Sequence, residues 1–202
     1  MQDDSGSMNI VVVSILIGLV LLIGAILLFS GKEQVTLPLK FEEFTDLMCP
    51  ACKTYHPVVK SLVAEFSDNL DYEFKNFPLK EIHPESYNRH LAAQAIKLQG
   101  KFTEISDLFF ENQESMTDNQ ILQLVLKIDG IDIDKFNTDW KSQAVKEIVD
   151  ADISEGLARG INATPTFYIN GQKVVFKEGD NPEEVLRKTI QDKIAIALAQ
   201  QK

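Results

Sequence analysis

A chain of 202 residues with 45% hydrophobic content is long enough to bury one substantial core, and its 20 basic against 30 acidic side chains leave a net charge of −10. That balance has the wrong sign for a phosphate backbone, so no nucleic acid is expected among its partners. Cys49 and Cys52 are its only cysteines, one thiol pair with no spare.

Residues 1–9 read as a short tail, and residues 10–29 form an uncharged apolar run broken only by Ser14, Gly18 and Gly24. At about 1.5 Å per residue a helix of that length spans the roughly 30 Å hydrocarbon layer. The run exceeds a signal-peptide core and no Ala-x-Ala site follows, so one N-terminal transmembrane helix, retained as an anchor, is expected in preference to a cleaved leader or a buried core helix. Residues 30–36 are a linker. The flanking charges, Asp3 and Asp4 before the run and Lys32 and Lys40 after it, place the following domain in the cytoplasm by the positive-inside rule.

Leu37 to Phe44 reads as a short strand, followed by Cys49-Pro50-Ala51-Cys52 and a helix to about Phe66. Positions i and i+3 share a helix face within disulfide reach. Pro50 suits the first helical position and so puts Cys49 at the positive end of the helix, where a thiolate is stabilised. Cys49 is therefore the expected nucleophile and Cys52 the resolving thiol. Period two places Glu43 on the strand face of Leu39 and Phe41, beneath the cysteines, where a carboxylate could accept the Cys52 proton; a solvated edge residue satisfies the same alternation. Zinc is the competing reading of the thiols, since His56 completes Cys-x2-Cys-x3-His. It lacks a fourth ligand, because His83 and His90 sit in no second ligand-spaced cluster, although a carboxylate could serve. Lys53 after Cys52 excludes a c-type haem site.

Asp71 to Phe77 alternates as a second strand, and a strand-helix-strand order demands a parallel pair. Helices then follow over Pro84–Leu98, Phe102–Phe110, a segment capped by Thr117 and Gln120 and running to Ile128, Asp134–Trp140 and Ala144–Ala158. Phe102, Phe109 and Phe110 read as core. Strands return at Thr166–Ile169 and Lys173–Phe176 around the hairpin turn Asn170-Gly171, and a last helix opens on Asn181 and Pro182 and runs to about Ala199.

Three segments together resemble the DsbA-like branch of the thioredoxin superfamily, including its membrane-anchored BdbD-type members. They are Cys49-Pro50-Ala51-Cys52 after a strand, Asn76-Phe77-Pro78-Leu79 closing the next, and Gly160-Ile161-Asn162-Ala163-Thr164-Pro165-Thr166-Phe167. The resemblance covers roughly residues 37–199. It implies an α/β thioredoxin fold with an inserted all-helical subdomain at about 84–159, preceded here by the transmembrane helix. It also implies that Pro165 is cis and faces the disulfide, that Thr164 helps hold extended substrate, and that Glu43 matches a buried family acid. Ala51 departs from the histidine that DsbA itself carries before the second cysteine, so a less acidic Cys49 and a weaker oxidant are expected. Asn162-Ala163-Thr164 also fits a glycosylation sequon, but Pro165 follows directly and the match is treated as coincidence.

The resulting expectation is a membrane-tethered thiol:disulfide oxidoreductase of a bacterial cell membrane that forms disulfides in exported cysteine-containing proteins. Its redox element is the Cys49–Cys52 pair, without cofactor or metal. The family implies a membrane quinone-linked oxidase of the DsbB or vitamin K epoxide reductase type as partner. It also implies an extracytoplasmic catalytic domain, against the flanking charges; long domains translocate largely regardless of these. Two rivals remain: the same fold run as a reductase or isomerase, and a non-enzymatic metal- or peptide-binding module.

Overall fold

The computed structural model describes residues 35–200 together with Ile15 and Leu16. Apart from those two residues, the anchor expected over 10–29 lies outside the described residues, and among these no helix is long and apolar enough to cross a membrane. The chain divides into Met1–Val35 and Thr36–Lys202, and the architecture below is that of the second unit.

Strand β1 (Leu39–Thr45), helix α1 (Pro50–Glu65) and strand β2 (Leu70–Asn76) form the expected strand-helix-strand unit. The strands run parallel, from Leu39 opposite Leu70 to Thr45 opposite Asn76. Every residue of β1 from Phe41 to Thr45 is buried because both faces of the sheet are covered. On one face Phe41 meets Tyr72 and Phe167, and Phe167 stacks on Tyr55 of α1. On the other, Phe44 meets Phe77 and Tyr168 edge-on. Each such ring contributes about 1.5–3 kcal/mol on burial. The period-two alternation therefore sends Glu43, like Phe41, toward α1 and sends Glu42 the opposite way, to Arg159.

Five helices separate β2 from β3 (Thr166–Ile169): α2 (Ser86–Lys97), α3 (Phe102–Glu111), α4 (Asp118–Val125), α5 (Ile133–Trp140) and α6 (Gln143–Ala158). Thr117 and Gln120 form the capping box of α4 in both directions, and Ser142 caps α6. Their buried side chains, Ile96, Ile105, Phe109, Ile121, Phe136 and Val149 among them, form one cluster that is continuous with Phe74, Cys49 and Cys52. Phe109 and Phe110 are core as expected, and Phe102 packs against Phe74 at 4.5 Å between ring centroids. α6 returns along the Phe44 face, where Gly156 lets the backbone approach the Phe77 ring closely; a Cβ there would overlap it.

β3 lies antiparallel to β1, and the sheet order is β2-β1-β3-β4. β4 is only Gln172–Lys173, shorter than the Lys173–Phe176 strand expected. Val174 still donates to the Phe167 carbonyl. Extending the register beyond it would set Phe176 opposite Pro165, which has no N–H to offer, so the ladder stops. The turn is the expected one, with Asn170 and Gly171 both at positive φ (50° and 76°). α7 (Pro182–Gln200) is capped by the Asn181 side chain, which accepts from the amides of Glu183 and Glu184, and its Arg187 pairs with Glu65 of α1.

Candidate active site

Cys49 is the N-cap of α1, with extended backbone (φ −76°, ψ 123°), and Pro50 opens the helix. The loop leading to it is held by a buried carboxylate. Asp46 is fully buried and accepts from the amides of Met48 at 2.8 Å and Leu79 at 2.9 Å, from the Ser86 hydroxyl and from His83 Nδ1. Burial alone would raise its pKa. These hydrogen bonds outweigh that and hold the carboxyl below the usual range. His90 is also fully buried; its Nε2 accepts from the Leu47 amide and its Nδ1 donates to the Asn76 side chain. Because an amide can only donate, His90 must be neutral, and desolvation accordingly lowers its pKa to about 4. Gln113, from the α3–α4 loop, donates to the Cys49 carbonyl at 2.9 Å.

Both cysteines are present as free thiols, Cys49 at 7% exposure and Cys52 at 0%. Thr164–Pro165 is a cis peptide, and the Thr164 carbonyl oxygen accepts a hydrogen bond from Cys49 Sγ at 3.4 Å. Hence the loop before β3 and the tip of α1 meet at the sulfur. The Cys49 pKa falls to about 5. The Cys52 thiol as hydrogen-bond donor is the main cause; burial opposes it, and Thr164 and the amides of Cys52 and Ala51 at the helix tip add to it. The buried Thr164 hydroxyl beside that sulfur has no hydrogen-bond partner among the described residues, so it is available to donate to a Cys49 thiolate. Cys52 is pushed far upward, by desolvation first and then by the Cys49 charge it faces. One sulfur is built to be a thiolate and the other to keep its proton.

Glu43 is buried, at 3% exposure, which settles the choice between core and edge. Thr45 Oγ1 donates to one carboxyl oxygen and the Tyr72 hydroxyl to the other, each at 2.6 Å, and neither bond goes to Cys52. Desolvation raises its pKa against those two hydrogen bonds and the nearby His56. His56, which the zinc reading needed, pairs instead with Asp107 of α3, and among the described residues no cluster of three metal-ligating side chains occurs. Asp46, His90, Gln113 and Tyr72 were not singled out from the sequence. Each acts on a segment far along the chain, and no local pattern announces such a contact.

A family model described as thioredoxin matches residues 34–192, so the chain belongs to the thioredoxin family. Within it the fold is that of the DsbA-like proteins. The structure is similar to the thiol-disulfide exchange protein alpha-DsbA2 from Wolbachia pipientis, with a TM-score of 0.67 and 24% identity over 81% of this chain and 84% of that one. It is also similar to BdbD from Bacillus subtilis in its oxidised form, with a TM-score of 0.66 and 19% identity over 82% and 91% of the two chains. Among curated proteins it is 32% identical over 136 residues to a Na(+)/H(+) antiporter NhaA 1 of Mycolicibacterium vanbaalenii, covering 66% of this chain. The match takes in 22% of that antiporter, so the chain spans about a fifth of the length of the curated relatives it matches.

Proposed function

We propose that this protein is a thiol:disulfide oxidoreductase of the DsbA type that oxidises cysteine-containing exported proteins through Cys49 and Cys52. The observation that carries the reading is the pairing of a thiolate-favouring Cys49 with a proton-retaining Cys52 at a helix tip, facing the cis Pro165 loop. A substrate thiolate attacks Cys49 in the disulfide form, Cys52 departs and takes a proton, and a second substrate thiolate then releases Cys49 as a stabilised leaving group. Glu43, on the strand face toward α1 and with its carboxyl pKa raised by burial, is the proposed proton donor and later acceptor for Cys52. Thr164 and Pro165 provide the edge along which extended substrate lies.

The thiolate supports the oxidising direction. Stabilising the reduced state makes the disulfide oxidising, and a Cys49 at about 5 falls between the roughly 7 of thioredoxin and the roughly 3.5 of DsbA. A disulfide more oxidising than that of thioredoxin and, with no cationic neighbour at Ala51, less so than that of DsbA is the expected outcome. A potential at the thioredoxin end would favour the reductase alternative. Residues 10–29 are proposed as the membrane anchor, with the domain outside the cytoplasm and a quinone-linked membrane oxidase restoring the disulfide. Antiport is not carried over, because the match takes in only 22% of the relative bearing that name.

The test is oxidation of a reduced, unfolded cysteine protein by the purified oxidised chain. We expect stoichiometric transfer of one disulfide, abolished in Cys49→Ala. Equal behaviour of wild type and Cys49→Ala would end the proposal.

A further inference from the structure

Below the thiols, between α1, β2 and α3, lies a cavity of about 220 Å³ whose walls include His56, Val59, Tyr72, Phe102 and Ser106. With liquid water occupying about 30 Å³ per molecule, it has room for several. Its placement follows from the helix. Cys52, His56 and Lys60 lie four residues apart on one ridge of α1, so His56 stands one turn, about 5.4 Å, below Cys52, with Lys60 a turn further down at the cavity's exposed rim.

Tyr72 belongs to both environments. Its side chain forms part of the cavity wall while its hydroxyl donates to Glu43 Oε2 at 2.6 Å. The other Glu43 oxygen is taken by Thr45 on the same strand, and β3 sets Phe167 opposite Glu43. From α1 the titratable group nearest in influence is His56, itself held by Asp107 of α3, which Lys60 also grips. α7 offers buried Leu186 and Ile190; its Arg187 and Lys193 are engaged with Glu65 and Gln172. Tyr72 is therefore the one polar side chain among the described residues seen both to hold Glu43 and to line the cavity.

We propose that Tyr72 is a positioning residue through which Glu43 exchanges its proton with water in this cavity, so that the proton traffic of Cys52 runs down the flank of α1, away from the tip that meets substrate. The inference rests on the thiol-exchange reading above. When a substrate thiolate bonds to Cys49 Sγ and the Cys49–Cys52 bond breaks, the departing Cys52 thiolate takes the Glu43 proton. Cavity water restores it through the Tyr72 hydroxyl, which accepts one proton as it passes on another. In reoxidation, Cys49 attacks a disulfide of the redox partner. Glu43 first gives its proton up to cavity water by the same route, and its carboxylate then takes the Cys52 proton as Cys52 attacks the mixed disulfide.

The test compares wild type, Tyr72→Phe and Glu43→Gln. The Glu43 carboxyl is titrated by infrared absorption in the oxidised protein and its hydrogen–deuterium exchange is timed after mixing into heavy water. The first exchange step with a reduced two-cysteine peptide is followed per substrate thiolate over the same pH range. Loss of a donor to the carboxylate raises its pKa, so Tyr72→Phe should move the titration and the alkaline fall in rate upward together by about one to two pH units. It should also slow carboxyl exchange by at least about ten-fold. Glu43→Gln should abolish the pH step. Unmoved titration and exchange in Tyr72→Phe would overturn the proposal, as would a rate lowered equally at every pH with the titration unmoved, the mark of a merely structural residue. If wild type itself fails to exchange disulfides, the functional reading fails, while the infrared titration still judges Tyr72 separately.

Discussion

At Cys49 the largest influence on the thiol is its partner. The Cys52 S–H points its proton at the Cys49 sulfur, and the Thr164 side chain and helix-tip amides strengthen an effect that burial opposes. Cys52→Ala should therefore raise the Cys49 titration midpoint by about one to two pH units, the size of one hydrogen bond to a charged group, as read by thiolate absorbance. An unchanged midpoint would assign the acidity to the helix tip alone. The roles of the two cysteines were legible from Pro50 and the spacing, because helix-tip electrostatics are local. The burial of Glu43 was half legible: alternation gave its face, but only the register of β2 against β1 brings Tyr72 to its carboxyl. His90 was not legible at all. Its partners, Leu47 and Asn76, come from two other segments, so within its own helix it reads as an ordinary residue.

Among the elements, α1 owes its position to a loop that contains no regular structure. Asp46 gathers two amides, a hydroxyl and an imidazole in the interior, and removing it leaves all four donors without that acceptor. Asp46→Ala should cost about 3 kcal/mol or more in urea unfolding, the scale of breaking a buried charged cluster. A loss below about 1 kcal/mol, the ordinary value of one net hydrogen bond, would show that water replaces the carboxylate. Strand and helix identities were legible wherever periodicity ran for a full element, as in β1, α1 and α7. β4 was not, because strand propensity over Lys173–Phe176 cannot report that Pro165, on the strand opposite, ends the ladder.

For the whole molecule, the fold was readable because strand-helix-strand, a helical block and a terminal hairpin admit few arrangements once the parallel pair is set. The same buried groups give the folded state a pH signature. In the oxidised protein the thiols no longer titrate, and His90, whose folded pKa is lowered to about 4, loses stability as pH falls. The unfolded imidazole takes up its proton near 6.5 while the folded one does not until about 4. Glu43 works against this, since a raised folded pKa favours the native state at low pH. In Glu43→Gln, with that opposing titration gone, urea unfolding should show a loss of about 3 kcal/mol between pH 6.5 and pH 4. A flat profile would mean that His90 is protonated in the folded state. The thiols add a redox signature on top. A Cys49 pKa lowered from 9.0 to about 5 gives stability that is full above the unfolded value and lost as pH falls through 5. Between pH 5 and pH 7 the reduced protein should thus gain about 2–3 kcal/mol relative to the oxidised form in the same assay.

The oxidoreductase reading depends on Cys49 being an acidic thiol beside one that holds its proton. The direct measurement is thiolate absorbance of the reduced protein against pH, repeated in Cys52→Ala. The structure predicts a single thiolate appearing with a midpoint near 5 and no second one up to the alkaline limit of folding, with the midpoint moving up in the variant. Two thiols titrating together at the ordinary value near 9 would contradict it.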